Sequence, residues 1–296
     1  MTEDFHGMAT RSLENEYLRL DYLVEAGPRL VRLFLAGSPI NLLADVFDLK
    51  IPTPYGEYFF LGGHRLWQAP ESLAQTYTLD LTGLQVQPIP EGVRLSLPAD
   101  PHTGIAKALE LHLSPDHPVV TLEHELRNES LSPVELAPWA ITQLRLGGIV
   151  LLPLPAGPVD ASGLLPNRQL TFWPYTSFHD PRLCLEDGAV LLRGESRLPP
   201  VKVGYRNLDG WLAYWLEGIL FVKRFELEAG ASYPDFGCNA EAYCNDKFIE
   251  LESLGPLRRL EPGVSSRHTE TWELYSNWHQ LALPESLRSL LECKLT

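Results

Sequence analysis

Apolar residues in this chain recur at every second position rather than every third or fourth. Leu18, Leu20, Tyr22 and Val24 alternate with Arg19, Asp21 and Glu25, and Tyr77, Leu79 and Leu81 with Thr78, Asp80 and Thr82. Val93, Leu95 and Leu97 alternate with Arg94 and Ser96, and Val120, Leu122, His124 and Leu126 with Thr121, Glu123 and Glu125. Successive strand side chains point to opposite faces, so each run predicts a strand with one face buried and one face polar. Residues 211–225 are apolar almost throughout and predict two buried strands joined by a tight Glu217-Gly218 turn. Ala26-Gly27-Pro28, Asp187-Gly188 and Ala229-Gly230 punctuate the remaining runs. Helix is expected only in the tail, 284–295. There Pro284 suits a first helical position, and Leu287, Leu290 and Leu291 share one face.

No Ser-, Gly- or charge-rich linker interrupts the pattern and no longer period repeats, so a propeller or solenoid is not expected. The economical reading is all-β, one large antiparallel β-sandwich spanning 1–296 as a single domain. The 24 Lys+Arg stand against 38 Asp+Glu, a net charge of −14, which argues against nucleic acid as a partner. The longest apolar run, 149–158, is interrupted by prolines and too short to span a bilayer, so no membrane partner is expected. The first twelve residues lack the layout of a signal peptide, and a cytoplasmic location is expected. Cys184, Cys238, Cys244 and Cys293 form no CxxC pair and read as free thiols. Phosphate-loop, dinucleotide, nucleophile-elbow and HExxH motifs are absent. No organic cofactor is expected, and no ligand spacing demands a metal. The oligomeric state is open.

Three segments crowd polar and aromatic groups together. In Gly62-Gly63-His64-Arg65-Leu66-Trp67-Gln68-Ala69-Pro70-Glu71, two glycines allow close backbone approach. Trp67 can stack on the apolar face of a sugar ring while His64, Arg65 and Glu71 bond its hydroxyls; a bland strand end with an Arg65–Glu71 ion pair is the alternative. On the segment 135–143, Trp139 and Gln143 share one strand face and offer a stacking plate and an amide, or simply core packing. From Tyr233 onward, Asp235, Glu241, Glu250 and Glu252 form an acid cluster. Glu250 and Glu252 share a face, where mutual repulsion raises at least one pKa. Such a pair suits acid/base work or a solvated strand. His124 and His268 fall in apolar phase and read as core. The aromatic loop 172–180 reads as a cleft lining or a packed loop.

With these residues assembled, the chain resembles the galactose mutarotase-like (aldose 1-epimerase) superfamily, in a bacterial branch of it. The resemblance rests on Ala26-Gly27-Pro28-Arg29-Leu30 with Asn41-Leu42-Leu43, Phe60-Leu61-Gly62-Gly63-His64-Arg65-Leu66-Trp67, His124-Glu125-Leu126-Arg127-Asn128 with Pro133-Val134-Glu135-Leu136, and Glu241 followed by Leu260-Glu261-Pro262-Gly263. It implies a large antiparallel β-supersandwich and a small-molecule sugar partner. It implies interconversion of the anomers of an aldose or sugar phosphate by acid/base ring opening, with Glu241 as base and Arg65 holding an oxygen. Trp67 and Trp139 would pack on the ring. The position of the family's general-acid histidine is occupied by Pro138-Trp139, which leaves the proton to another group, His64. That departure keeps two alternatives open: a non-catalytic carbohydrate-binding or sensing protein, and a sugar lyase or hydrolase.

Overall fold

The computed structural model describes residues 4–277 apart from 155, 156 and 158; the helix expected over 284–295 lies outside the described residues. The period-two runs pair into antiparallel sheets. An 11-stranded sheet has at its centre Arg29–Leu35, His64–Ala69, Val134–Leu144, Ile249–Leu254, Ala240–Cys244 and Val201–Tyr205, in that order. A 10-stranded sheet is built around Trp211–Leu216, Ile219–Phe225, Ser265–Tyr275, Val119–Asn128 and Ile105–Leu113. Their facing sides bury one main core, from Leu18, Leu20 and Leu30 of the first sheet to Leu122, Phe221 and Trp272 of the second. Among the described residues the sole helical segment is Pro234–Gly237, and its Asp235 and Phe236 are left-handed. No helix among them is long and apolar enough to cross a membrane.

Residues 211–225 form the expected hairpin. Glu217 (φ 47) and Gly218 (φ 86) supply the two positive φ angles that a tight turn between right-twisted strands requires. Residues 77–82, by contrast, are not a strand. Asp80, the supposed polar position, is buried because it bonds the Arg29 guanidinium at 2.6 Å, and Leu79 is turned outward instead. A buried ion pair here outweighs the apolar alternation.

The third sheet, Asp45–Thr53 paired with Gly56–Gly62, lies over the outer face of the 11-stranded sheet. Its Tyr58, Ile51 and Phe60 pack with Trp67, Tyr77, Trp139 and Ile141 in a second apolar cluster. The ribbon joins the main sheet through Gly62-Gly63. A Cβ on Gly63 (φ +68) would sit 1.8 Å from the Leu30 carbonyl oxygen, and one on Gly62 (φ +97) 2.0 Å from that of Ala44. Gly63→Ala is therefore expected to cost about 3 kcal/mol or more, through both overlap and the left-handed backbone. Urea unfolding at constant m checks this; a loss below about 1 kcal/mol would show that the backbone approach is not as tight as described.

Candidate functional site

Strand register gathers the site. His64–Ala69 pairs with Val134–Leu144 so that Trp67 faces Trp139 and Arg65 faces Ile141. On the other side Ile141 faces Glu252 and Gln143 faces Glu250. Glu250 faces Tyr243, Glu252 faces Glu241, and Tyr243 faces Lys202 in turn. Because pleating alternates, these residues share the face turned away from the second sheet. With Trp173 and Tyr175 from the aromatic loop and Phe60 from the ribbon, Arg65, Trp67, Trp139, Lys202, Tyr243 and Glu250 of that face surround a cavity of about 350 Å³.

Two cations of different standing line it. Arg65 donates from Nη2 to Glu250 Oε1 at 3.1 Å, and its guanidinium lies 4.1 Å from the Trp67 ring centroid. Gln143 donates to the same Glu250 oxygen at 2.9 Å. Burial raises the Glu250 pKa; Arg65 opposes and Glu252 adds to the rise, leaving it pushed up to about 7. Lys202 lies between the Trp139 and Trp173 rings, 4.7 and 4.5 Å from their centroids. Its Nζ is 2.7 Å from Glu241 Oε2 and 2.9 Å from Glu252 Oε2. Burial alone would lower the Lys202 pKa, but Glu241 and Glu252 together hold it well above the usual range. Glu241 is fully buried, and burial holds its carboxyl well above the usual carboxylate range although Lys202 opposes the shift. Trp139 Nε1 donates to Glu252 Oε2 at 2.7 Å.

The structure thus brings Arg65, Trp67, Trp139 and Glu71 to the cavity wall. Gln143 stands behind Glu250. Glu71 does not pair with Arg65; it accepts the Tyr77 hydroxyl at the rim. Glu241 is on the cleft face but lies beneath Lys202 and Trp173 rather than on the wall.

His64 is placed elsewhere. Adjacent to Arg65 on its strand, it points the opposite way, between the two sheets. Its Nδ1 is 2.9 Å from Thr142 Oγ1 and its Nε2 is 2.8 Å from His124 Nε2. His124 Nδ1 lies 2.9 Å from the His268 carbonyl, which can only accept. His124 therefore carries its hydrogen on Nδ1, His64 donates from Nε2, and Thr142 donates to His64 Nδ1. Burial keeps both rings neutral by lowering their pKa values. His64, His124 and Glu270 are the group among the described residues whose ligand atoms approach within 4.8 Å of one another. Glu270 already takes Lys223 and Trp272, each at 2.8 Å, and every polar atom of the trio has a protein partner.

No family model matches the sequence, and no curated protein matches it. Solved structures do match in shape. A candidate aldose 1-epimerase from Klebsiella pneumoniae aligns over 98% of this chain and 83% of its own, with TM-score 0.62 at 10% identity. A candidate mutarotase from Salmonella typhimurium aligns over 91% and 94%, with TM-score 0.58 at 10% identity. A candidate aldose 1-epimerase from Escherichia coli K12 aligns over 91% and 100%, with TM-score 0.55 at 13% identity. This chain has the galactose mutarotase-like fold. At such identities the likeness is one of fold, so what this mutarotase-like cleft does rests on its own residues.

Several of those residues escape the sequence reading. Glu250 stands out there only as part of an acid cluster, and its pairing with Arg65 spans 185 positions. Lys202 is not singled out at all. Its signal is a lysine inside Val201–Tyr205, a strand in which every residue is buried. Trp173 and Tyr175 belong to the loop with two readings, and they line the cavity; His179 of that loop is exposed.

Proposed function

We propose that this cavity binds a monosaccharide and that the protein interconverts the anomers of an aldose by acid/base ring opening. The observation that carries this reading is Glu250, a buried carboxyl on the cavity wall with a pKa pushed up to about 7. The volume, about 350 Å³, is at the small end of ligand pockets and suits one sugar ring rather than a chain. Phe60, Trp67 and Tyr175 supply apolar walls for the ring's carbon face.

In this mechanism Glu250 takes the proton of the anomeric hydroxyl. The ring oxygen receives one from Tyr243, which lies opposite Glu250 in register. Burial and then Glu250 push the Tyr243 pKa up to about 12, so the hydroxyl is protonated at neutral pH. Asn245 donates to its oxygen at 3.4 Å, leaving the hydroxyl hydrogen free for a sugar. The bond from the anomeric carbon to the ring oxygen breaks, and the open aldehyde turns about the first carbon–carbon bond. Closure from the other face reverses both transfers: Glu250 protonates the new anomeric oxygen, and Tyr243 recovers its proton from the hydroxyl that becomes the ring oxygen. Arg65 and Gln143 hold Glu250 in place. Glu241 and Glu252 hold Lys202, which forms the cavity floor.

One observation favours binding without catalysis: Glu241, the match to the family base, is not on the wall. Exchange between α and β anomers, followed by saturation-transfer NMR, separates the readings. The wild type is expected to accelerate exchange above the buffer rate for an aldose that it binds, and His64→Gln is expected to retain that activity. Saturable binding with no acceleration for any aldose would establish the binding-only reading. Loss of activity in a folded His64→Gln protein would return the acid role to that histidine.

A further inference from the structure

Lys202 and Arg65 differ in how the protein matches their charge. Lys202 has two carboxylates within 3 Å and an aromatic ring on either side. Arg65 has one carboxylate, through Nη2 alone, and shares even that oxygen with Gln143. Its Nε and Nη1 are buried and have no partner. The Trp67 ring, and Phe60 at 5.5 Å, satisfy the face of the guanidinium but not its edge, where the N–H groups point. A side chain only 2% exposed that keeps unpaired donors carries a free-energy cost unless something else accepts from them.

We propose that the sugar recognised here carries a carboxylate, as an aldose of the uronic acid class does, and that this carboxylate accepts from the free N–H groups of Arg65. The inference rests on the reading of the cavity as a monosaccharide site and adds the charge of its ligand. Neutral hydroxyls would satisfy the donors but leave the charge. Around Glu250 stand Arg65, Glu252, Tyr243, Lys202, Tyr77 and, from the second sheet, Lys223. Burial leaves Glu250 partly protonated near neutral pH, so it offsets only part of the guanidinium charge. The shortfall is at most one unit. A carboxylate supplies one negative charge, whereas a phosphate brings about −1.5 to −2. Beside Glu250 and Glu71, with no second unpaired cation among the described wall residues, the excess charge of a phosphate would be repelled.

The experiment is calorimetric titration of the full chain with matched ligands in the gluco and galacto series: the hexuronate, the neutral hexose and the hexose 6-phosphate. In at least one series the hexuronate is expected to bind about tenfold or more tighter than the hexose, and the advantage should shrink in added salt. Arg65→Gln should erase the advantage, while Arg65→Lys should keep part of it, since the charge remains and the fork is lost. Neutral hexose binding as well as hexuronate in both series would overturn the inference and leave the anomer reading standing. Tighter binding of the 6-phosphate would overturn the choice of carboxylate. Binding of none of the six would overturn this inference together with the monosaccharide reading. Should Arg65→Gln not fold, the wild-type ranking and its salt dependence decide alone.

Discussion

Glu250→Gln is expected to slow catalysed anomer exchange by about 10²–10⁴-fold, the usual contribution of a positioned proton-transfer group. Glutamine keeps the side-chain shape and can still accept from Arg65 and Gln143 through its amide oxygen, but it takes up no proton at neutral pH. The loss should fall on kcat far more than on sugar affinity, because a base works mainly in the transition state. The pH dependence has a definite sign. Glu250 acts as a base when ionised, and burial has raised its pKa to about 7. Catalysed kcat/KM should therefore climb as pH rises through about 7 and level off above it. Folding stability runs the other way. Between the ordinary carboxylate range and about 7 the native state binds the extra proton, so this group's contribution to stability falls as pH rises across that window. A Glu250→Gln protein with full exchange activity would refute the assignment.

Lys202→Met is expected to cost about 3–5 kcal/mol of stability, the usual penalty for removing one partner of a buried ion pair. Two carboxylates, Glu241 and Glu252, depend on this ammonium, and both are fully buried. Methionine retains the packing between Trp139 and Trp173 but leaves the acids uncompensated. Glu241 already sits well above the usual carboxylate range through burial, and losing Lys202 removes what opposes that shift. The variant should therefore bind more protons folded than unfolded above the ordinary carboxylate range. Its deficit should be largest at alkaline pH and shrink as pH falls. Adding Glu241→Gln should recover much of the loss, because the two sites share one contact. Thermal unfolding of the single and double variants across pH checks this; additive losses would show that Lys202 and Glu241 are not coupled.

Much of this architecture is legible in the order of the residues. Alternation marks the strands of 18–24, 93–97 and 120–126 because a half-buried strand needs one apolar face, and that need is local. The Glu217-Gly218 turn is legible because only certain residues accept two positive φ angles. The same alternation places Arg65 with Trp67 and Glu250 with Glu252; it also sets His64 opposite to Arg65, a constraint that giving His64 the acid role at the sugar overrode. It misleads at 77–82, where Asp80 goes inward to meet Arg29 across 51 positions. No local pattern contains that partner.

What the chain order determined, then, is strand identity, the side each residue takes, and the glycine pair that lets the ribbon close over the sheet. Tertiary structure alone decided which faces meet. Register between strands distant in sequence pairs Arg65 with Glu250 and sets Lys202 between Glu241 and Glu252. It also brings His64 against His124, 60 positions away in the chain. Burial then sets the chemistry: an acid whose sequence neighbours look like a solvated strand face becomes a group titrating near neutrality once the ribbon and the aromatic loop exclude water from around it.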